Sequence, residues 1–245
     1  MHSAEFQTLG FTTDKPQALL TQAVATGNVH GLQKVPGFDL IGAYTDESGA
    51  RLSLVRRKGH DVEVAASLVS TQGHRAAVYR IGDRLAHASI MLGEDESLEL
   101  IVQVDDPTQY PERSEKEPGK FALISSLGVG AIYLRADVYA DEEEFLAKRP
   151  DEDREWSSQS LASPSIAAEG ILGDAELNAR AYVGFVVKEA SRRRNALTGQ
   201  EFWCGTGRSA IPITFALPGG LDVQPGNVIL GTFLLTASSG LWDRV

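Results

Sequence analysis

Along most of this chain apolar and polar positions alternate with a period of two, the signature of strands with one buried face. Leu98, Leu100, Val102 and Val104 alternate with Glu99 and Gln103. Phe38 to Tyr44 and Arg51 to Val55 flank Asp46-Glu47-Ser48-Gly49, residue types that favour a tight hairpin turn. Ala76 to Ile81 and Leu85 to Met91 flank Gly82-Asp83 in the same way, so a sheet of roughly five strands is expected in this half. Glu5 to Thr12 reads as a short strand ahead of it.

Helical spacing is rarer. Leu19, Leu20, Ala23 and Val24 share one face of a helix that Asp14 caps, with Pro16 in its first turn, Gln17 in capping-box position and Gly27 at its end. Asp141 with Glu144 repeats the capping pattern and opens a short acidic helix running to Pro150. Asp106 to Lys120, rich in Pro, Glu and Lys and without periodicity, is expected as an exposed loop. Phe121 to Leu134 fits a strand or a buried helix equally well, and Ser157 to Ser165 is expected to connect two halves.

The C-terminal part is nearly all β. Ala179 to Lys188 is apolar on both faces, and Glu201 to Cys204, Ala210 to Leu217 and Val228 to Thr236 follow at short intervals separated by Gly and Pro turns. The expected fold is therefore α+β. It comprises an N-terminal mixed sheet with one or two helices over residues 1–155 and a small OB-like β-barrel over residues 170–245.

Composition narrows the setting. With 42% hydrophobic and 23% charged residues the 245-residue chain has the make-up of a folded globular protein. Nothing approaches the roughly eighteen apolar residues of a membrane-spanning helix, and the first residues lack a signal-peptide pattern, so a cytoplasmic protein with no membrane partner is expected. The single cysteine, Cys204, excludes an intramolecular disulfide or a cysteine-based zinc cluster. The net charge of −10 disfavours a surface devoted to phosphate. Residues 178–245, however, carry seven basic against four acidic side chains, and the rest carries 16 against 29. Such halves complement each other within one molecule or between copies.

Several segments resemble a family of uncharacterised bacterial proteins of about this length: Leu9-Gly10-Phe11, Ser48-Gly49-Ala50-Arg51-Leu52, Ala131 to Phe145, Ser157 to Ile166, Asn195 to Phe202, and Gly231 to Leu235. The chain departs at Leu234, where that family carries Trp. The resemblance implies no activity, cofactor or site residue. At the level of pattern, residues 5–55 look like the start of a vicinal-oxygen-chelate unit, and the C-terminal part looks OB-like.

Candidate chemistry is thin. Among His2, His30, His60, His74 and His87 no pair has metal-ligand spacing, and no metal ligand is assigned. His87 with Glu99 from the next strand could imitate a chelate-fold pair, although a satisfied or exposed strand histidine is the plainer account. Cys204 beside Trp203 reads as an inert, partly buried thiol, and no Gly-x-Ser-x-Gly elbow exists. The carboxylates of Asp141 to Glu144 and Asp151 to Glu155 serve helix starts and solvation. Arg192, Arg193, Arg194 and Trp203 are the candidate binding residues, arginines at a turn beside an aromatic strand, as OB folds use to hold single-stranded nucleic acid. A solvated hairpin tip is the plainer account of them. The function expected is non-catalytic binding or scaffolding with a second copy or another protein as partner. The alternatives are single-strand binding by the barrel and a metal-dependent enzyme around His87.

Overall fold

The structure, a computed structural model, describes residues 1–114, 119–149, 156–168 and 177–243. Two short helices, α1 (Ala4–Thr8) and α2 (Pro16–Ala25), precede seven strands: β1 (Val29–Leu32), β2 (Phe38–Thr45), β3 (Ala50–Arg57), β4 (Glu63–Leu68), β5 (Gly73–Arg80), β6 (Leu85–Met91) and β7 (Ser97–Val104). After them come β8 (Ala122–Tyr139), α3 (Glu142–Lys148), β9 (Leu161–Ala162) and α4 (Ser165–Ala168). The last strands are β10 (Arg180–Arg194), β11 (Glu201–Arg208), β12 (Pro212–Pro218) and β13 (Val228–Ser238). The protein is thus mostly sheet with few helices, and no helix among the described residues is long and apolar enough to cross a membrane.

β1 to β4 form a four-stranded antiparallel sheet in chain order. The other strands form a nine-stranded sheet in the order β11-β12-β8-β5-β6-β7-β13-β10-β9, with β10–β11 and β8–β13 paired in addition. It is mixed, because β12 runs parallel to β8 and β13 parallel to β7. Its axis is the antiparallel pair β8–β13, in register from Tyr139 opposite Val228 to Gly128 opposite Ser238. Beyond one end of this ribbon β8 pairs with β5, and through β6 and β7 the pairings return to β13; alongside the ribbon β12 pairs with β8 at Gly130–Ile132, and β11 and β10 link it to β13. Strands on both sides of the expected boundary between residues 155 and 170 therefore share one sheet.

Alternation along these strands sends side chains into two cores. Leu127, Val129 and Ala131 of β8 meet Phe185, Phe215 and Phe233 on one face, with ring centroids of Phe185 and Phe215 4.9 Å apart. On the opposite face Ile132, Phe202, Cys204 and Ala216 pack against Phe6, Leu9, Phe11, Leu19, Tyr44, Leu52 and Leu68, which seats the helices and the four-stranded sheet on β8, β11 and β12. Each fully buried aliphatic or aromatic side chain contributes about 1.5–3 kcal/mol.

Several expectations are corrected. Glu5 to Thr12 is not a strand. Phe6 and Leu9 lie three apart and are buried from helix α1 and the turn after it, a spacing that a two-residue reading confuses with Phe11. Asp14 does not cap α2, which starts at Pro16 behind Lys15; its carboxylate instead lies 3.0 Å from His2. Val24 is exposed rather than buried with Leu19 and Ala23. In the segment expected as an exposed loop, Asp106, Pro107 and Tyr110 are buried around a 3-10 turn at Pro107–Gln109, and residues 115–118 lie outside the described residues. The stretch 157–165 does more than connect, since β9 pairs with Tyr182 and Val183 of β10.

Other expectations match. The 46–49 hairpin turn closes through Asp46 N–H to the Ala50 carbonyl. Asp141 caps α3, accepting from Glu144 N–H at 2.8 Å. The segment left open between strand and helix is strand from Ala122 onward. Asp151 to Glu155 lies outside the described residues.

Candidate functional site

Three of the motif segments meet in space. Asn195 follows β10 and is fully buried; its side-chain amide donates to the Leu9 carbonyl at 2.9 Å while its Oδ1 accepts from Leu197 N–H at 3.0 Å. Thr198 Oγ1 donates to the Gly10 carbonyl. Gly10 sits at φ +73° with the Cβ atoms of Asn195 and Gln200 3.1 Å from where its own Cβ would stand, so this close contact requires glycine. The loop's Ala196 N–H then donates to Asp46 at 3.0 Å. Asp46 also accepts from the Tyr44 hydroxyl and from the Ser48 amide and hydroxyl, so its buried carboxylate is well satisfied. Burial, followed by the hydrogen bond to Asp46, pushes the Tyr44 phenol far above its usual range.

This docking holds the β2–β3 turn beside β10 and β11 and leaves between them a cleft of about 640 Å³. Strand alternation puts Ser191 and Arg193 on the cleft side of β10, opposite Cys204 and Phe202 of β11. A β-bulge between Val187 and Glu189 also brings Glu189 to the wall. Gly205 makes that approach possible, because a Cβ there would run into the Glu189 carbonyl oxygen. Thr45, Glu47, Thr71, Thr206 and Asp243 also line the wall. Arg193 Nε donates to Ser191 Oγ at 3.3 Å, and neither Arg193 nor Glu189 has an ion-pair partner among the described residues. Burial pushes the Cys204 thiol up, with the Arg193 charge acting the other way, so Cys204 is held as a thiol in the wall.

Behind the cleft lies a cavity of about 250 Å³ that shares Val69, Thr71 and Asp243 with it and is otherwise lined by hydroxyls, glycines and Arg51. Arg51 is fully buried. Its guanidinium donates to Asp105 Oδ2 at 2.7 Å and to Asp243, and through Nε to Thr45 Oγ1 at 2.8 Å. Asp105 accepts also from Ser67 Oγ at 3.1 Å, and its carbonyl accepts from Trp242 Nε1 at 2.8 Å. Neighbouring Asp106, bonded to Tyr110 and Ser239, has its pKa pushed up to about 7 by burial first and by the Asp105 charge second. One network thus ties the four-stranded sheet, the end of β7 and the last described residues together.

No family model, curated protein or solved structure matches this chain. Its site residues rest on geometry alone.

The candidate binding residues divide between two faces. They do not sit at a turn, because β10 continues through Arg194. Arg192 lies opposite Trp203, its guanidinium carbon 4.9 Å from the ring centroid, and pairs with Glu201 at 3.6 Å. Trp203 Nε1 donates to the Leu221 carbonyl at 2.8 Å, and Arg194 Nε to the Gly199 carbonyl at 3.0 Å. Only Arg193 lines the cleft. His87 and Glu99 do meet, at 2.6 Å, yet no group of three His, Cys, Asp or Glu among the described residues is arranged to hold a metal. Nothing in the sequence marks Glu189, Arg51 or Asp243 as site residues. The bulge that turns Glu189 inward leaves no local signal, and Arg51 occupies a polar position of an alternating strand, where solvent is the ordinary neighbour.

Proposed function

We propose that this protein is a non-catalytic binding protein whose cleft holds a small polar molecule bearing both an acidic and a basic group. The observation that carries this reading is a pair of opposite charges, Arg193 and Glu189, lining the same cleft with no ion-pair partner among the described residues. The volume falls in the range of about 300–1,000 Å³ that small-ligand pockets occupy. Arg193 is suited to a carboxylate, since its guanidinium presents a planar fork of donors. Glu189 and Asp243 are suited to an ammonium or amide.

Native mass spectrometry of gently purified protein should show a retained small molecule, and Arg193→Ala should weaken its retention at least about tenfold. A bare protein whose melting temperature is unmoved by amino acids, short peptides and other zwitterions would overturn the reading. The same spectrum counts copies. We read the protein as cytoplasmic and self-associating, the basic residues of 178–245 meeting the acidic remainder of a second copy.

The cycle of pairings β8–β12–β11–β10–β13 supports an OB-like barrel that takes β8 from the first half in addition to strands of residues 170–245. Single-strand binding has weaker support. Arg192 already covers the Trp203 ring, so a stacking base would have to displace it.

A further inference from the structure

The cavity of about 250 Å³ behind the cleft meets it where Val69, Thr71 and Asp243 line both spaces, so a molecule held in front can extend an arm behind. The wall of this back cavity carries five hydroxyl side chains and a single large apolar one, Val69. Two of the hydroxyls are used internally. Ser70 donates to the carbonyls of Gln72 and Val129, and Ser239 donates to Asp106.

Three groups keep unused capacity. The Ser126 hydroxyl has no hydrogen bond among the described residues. Ser238 Oγ accepts from Arg51 at 3.5 Å and from Gly240 N–H at 3.2 Å, but its own hydrogen has no acceptor there. Ser238 is only 7% exposed, and a hydroxyl so buried ordinarily donates to a partner. Asp243 bonds Arg51 through Oδ1, and its Oδ2 accepts nothing among the described residues.

Charge narrows the arm that these groups suit. Arg51 is matched by Asp105 and Asp243, which leaves it no spare charge for a phosphate or a second carboxylate. The same guanidinium repels a second ammonium. An apolar arm would cover the free serine hydroxyls and Asp243 without replacing their hydrogen bonds, which is costly. A neutral arm rich in hydroxyls both gives and accepts the bonds that are missing.

We infer that the ligand of the cleft carries a sugar: an amino acid or short peptide bearing one hexose, whose ring enters the back cavity. This rests on the zwitterion reading of the cleft. Arg193 takes the carboxylate, and Glu189, which lines only the front space, takes the ammonium. Asp243, at the junction, is then left to accept from the sugar hydroxyls, with Ser126 and Ser238 on the ring's other oxygens.

The test is isothermal titration of the full chain with L-serine, O-β-D-glucosyl-L-serine and the dipeptide seryl-leucine. The glucosyl compound should bind at least about tenfold more tightly than L-serine, the effect of a few added hydrogen bonds. Ser126 is exposed on β8, so Ser126→Leu removes no core contact, and it should bring the affinity for glucosyl-serine down to that for L-serine. Glucosyl-serine binding no tighter than L-serine, or less tightly than seryl-leucine, would overturn the sugar arm and leave the zwitterion reading in place. A full glucosyl advantage retained in Ser126→Leu would overturn it too, since the ring would then lie elsewhere. Absence of binding by all three would also end it, and the melting-temperature survey with other zwitterions would decide the cleft reading separately.

Discussion

At the scale of single residues, the side chains that hold the candidate site are polar groups placed where the sequence gives no reason to bury them. Arg51 is the clearest. Its neighbours Ala50 and Leu52 are fully buried as alternation requires, and Arg51 itself is buried on the other face because Asp105 and Asp243 arrive from distant parts of the chain. A buried pair is weak evidence for stability as a whole, yet removing one partner strands the other charge. Arg51→Met should therefore cost about 3–5 kcal/mol, read as a fall in the urea midpoint at unchanged slope. A loss below about 1 kcal/mol would mean that Asp105 finds another donor. Asn195 stands out in the sequence only within the Asn195 to Phe202 segment that resembles the uncharacterised family. Its role, bonding the Leu9 carbonyl across the chain, belongs to a contact that no local pattern encodes.

At the scale of elements, strands with clean alternation could be read from the sequence almost to the residue, as β6 and β7 show, because one face of each is core. β1 and β4 could not. One has four residues with a central glycine, and the other is half alanine and serine, so neither displays the β-branched run that marks a strand. β10 was read short, because its last residues are charged and exposed although they still pair with β11. The end of β7 has a consequence for pH. Asp106 is held near 7 against an ordinary carboxylate value near 4, so between these values the folded state binds the proton more tightly than the unfolded chain. Stability from this group consequently falls as pH rises from about 4 to about 7, by a few kcal/mol at most. The groups facing it are Asp105, Tyr110 and Ser239. Asp106→Asn should flatten the trend, so that the variant gains on the wild type between pH 5 and pH 8 in urea unfolding. Parallel pH curves for the two proteins would show that another group carries the dependence.

At the scale of the whole molecule, the expected α+β composition is present, while the way the halves join depends on pairings across long stretches of sequence. β8 was an undecided apolar segment, and in the structure it is the strand on which the nine-stranded sheet turns. It pairs with β5 from the first half and with β12 and β13 from the second. Nothing in its composition announces three partners; length and apolar character on both faces are the only hints. The arrangement makes a prediction about cutting the chain. A fragment of residues 1–155 keeps β5 to β8 but loses β13, which pairs with β7 and β8, and with it the core partners Phe185, Phe215 and Phe233. A fragment of residues 170–245 loses β8 in turn. Each leaves a long apolar strand edge unpaired, a condition that favours aggregation over folding. Expressed alone, neither fragment should give a dispersed amide NMR spectrum, and the intact chain should unfold in a single transition by every probe. A well-dispersed spectrum from residues 1–155 would instead mean that β5 to β8 close without β13, and that the ribbon joins two units able to fold apart.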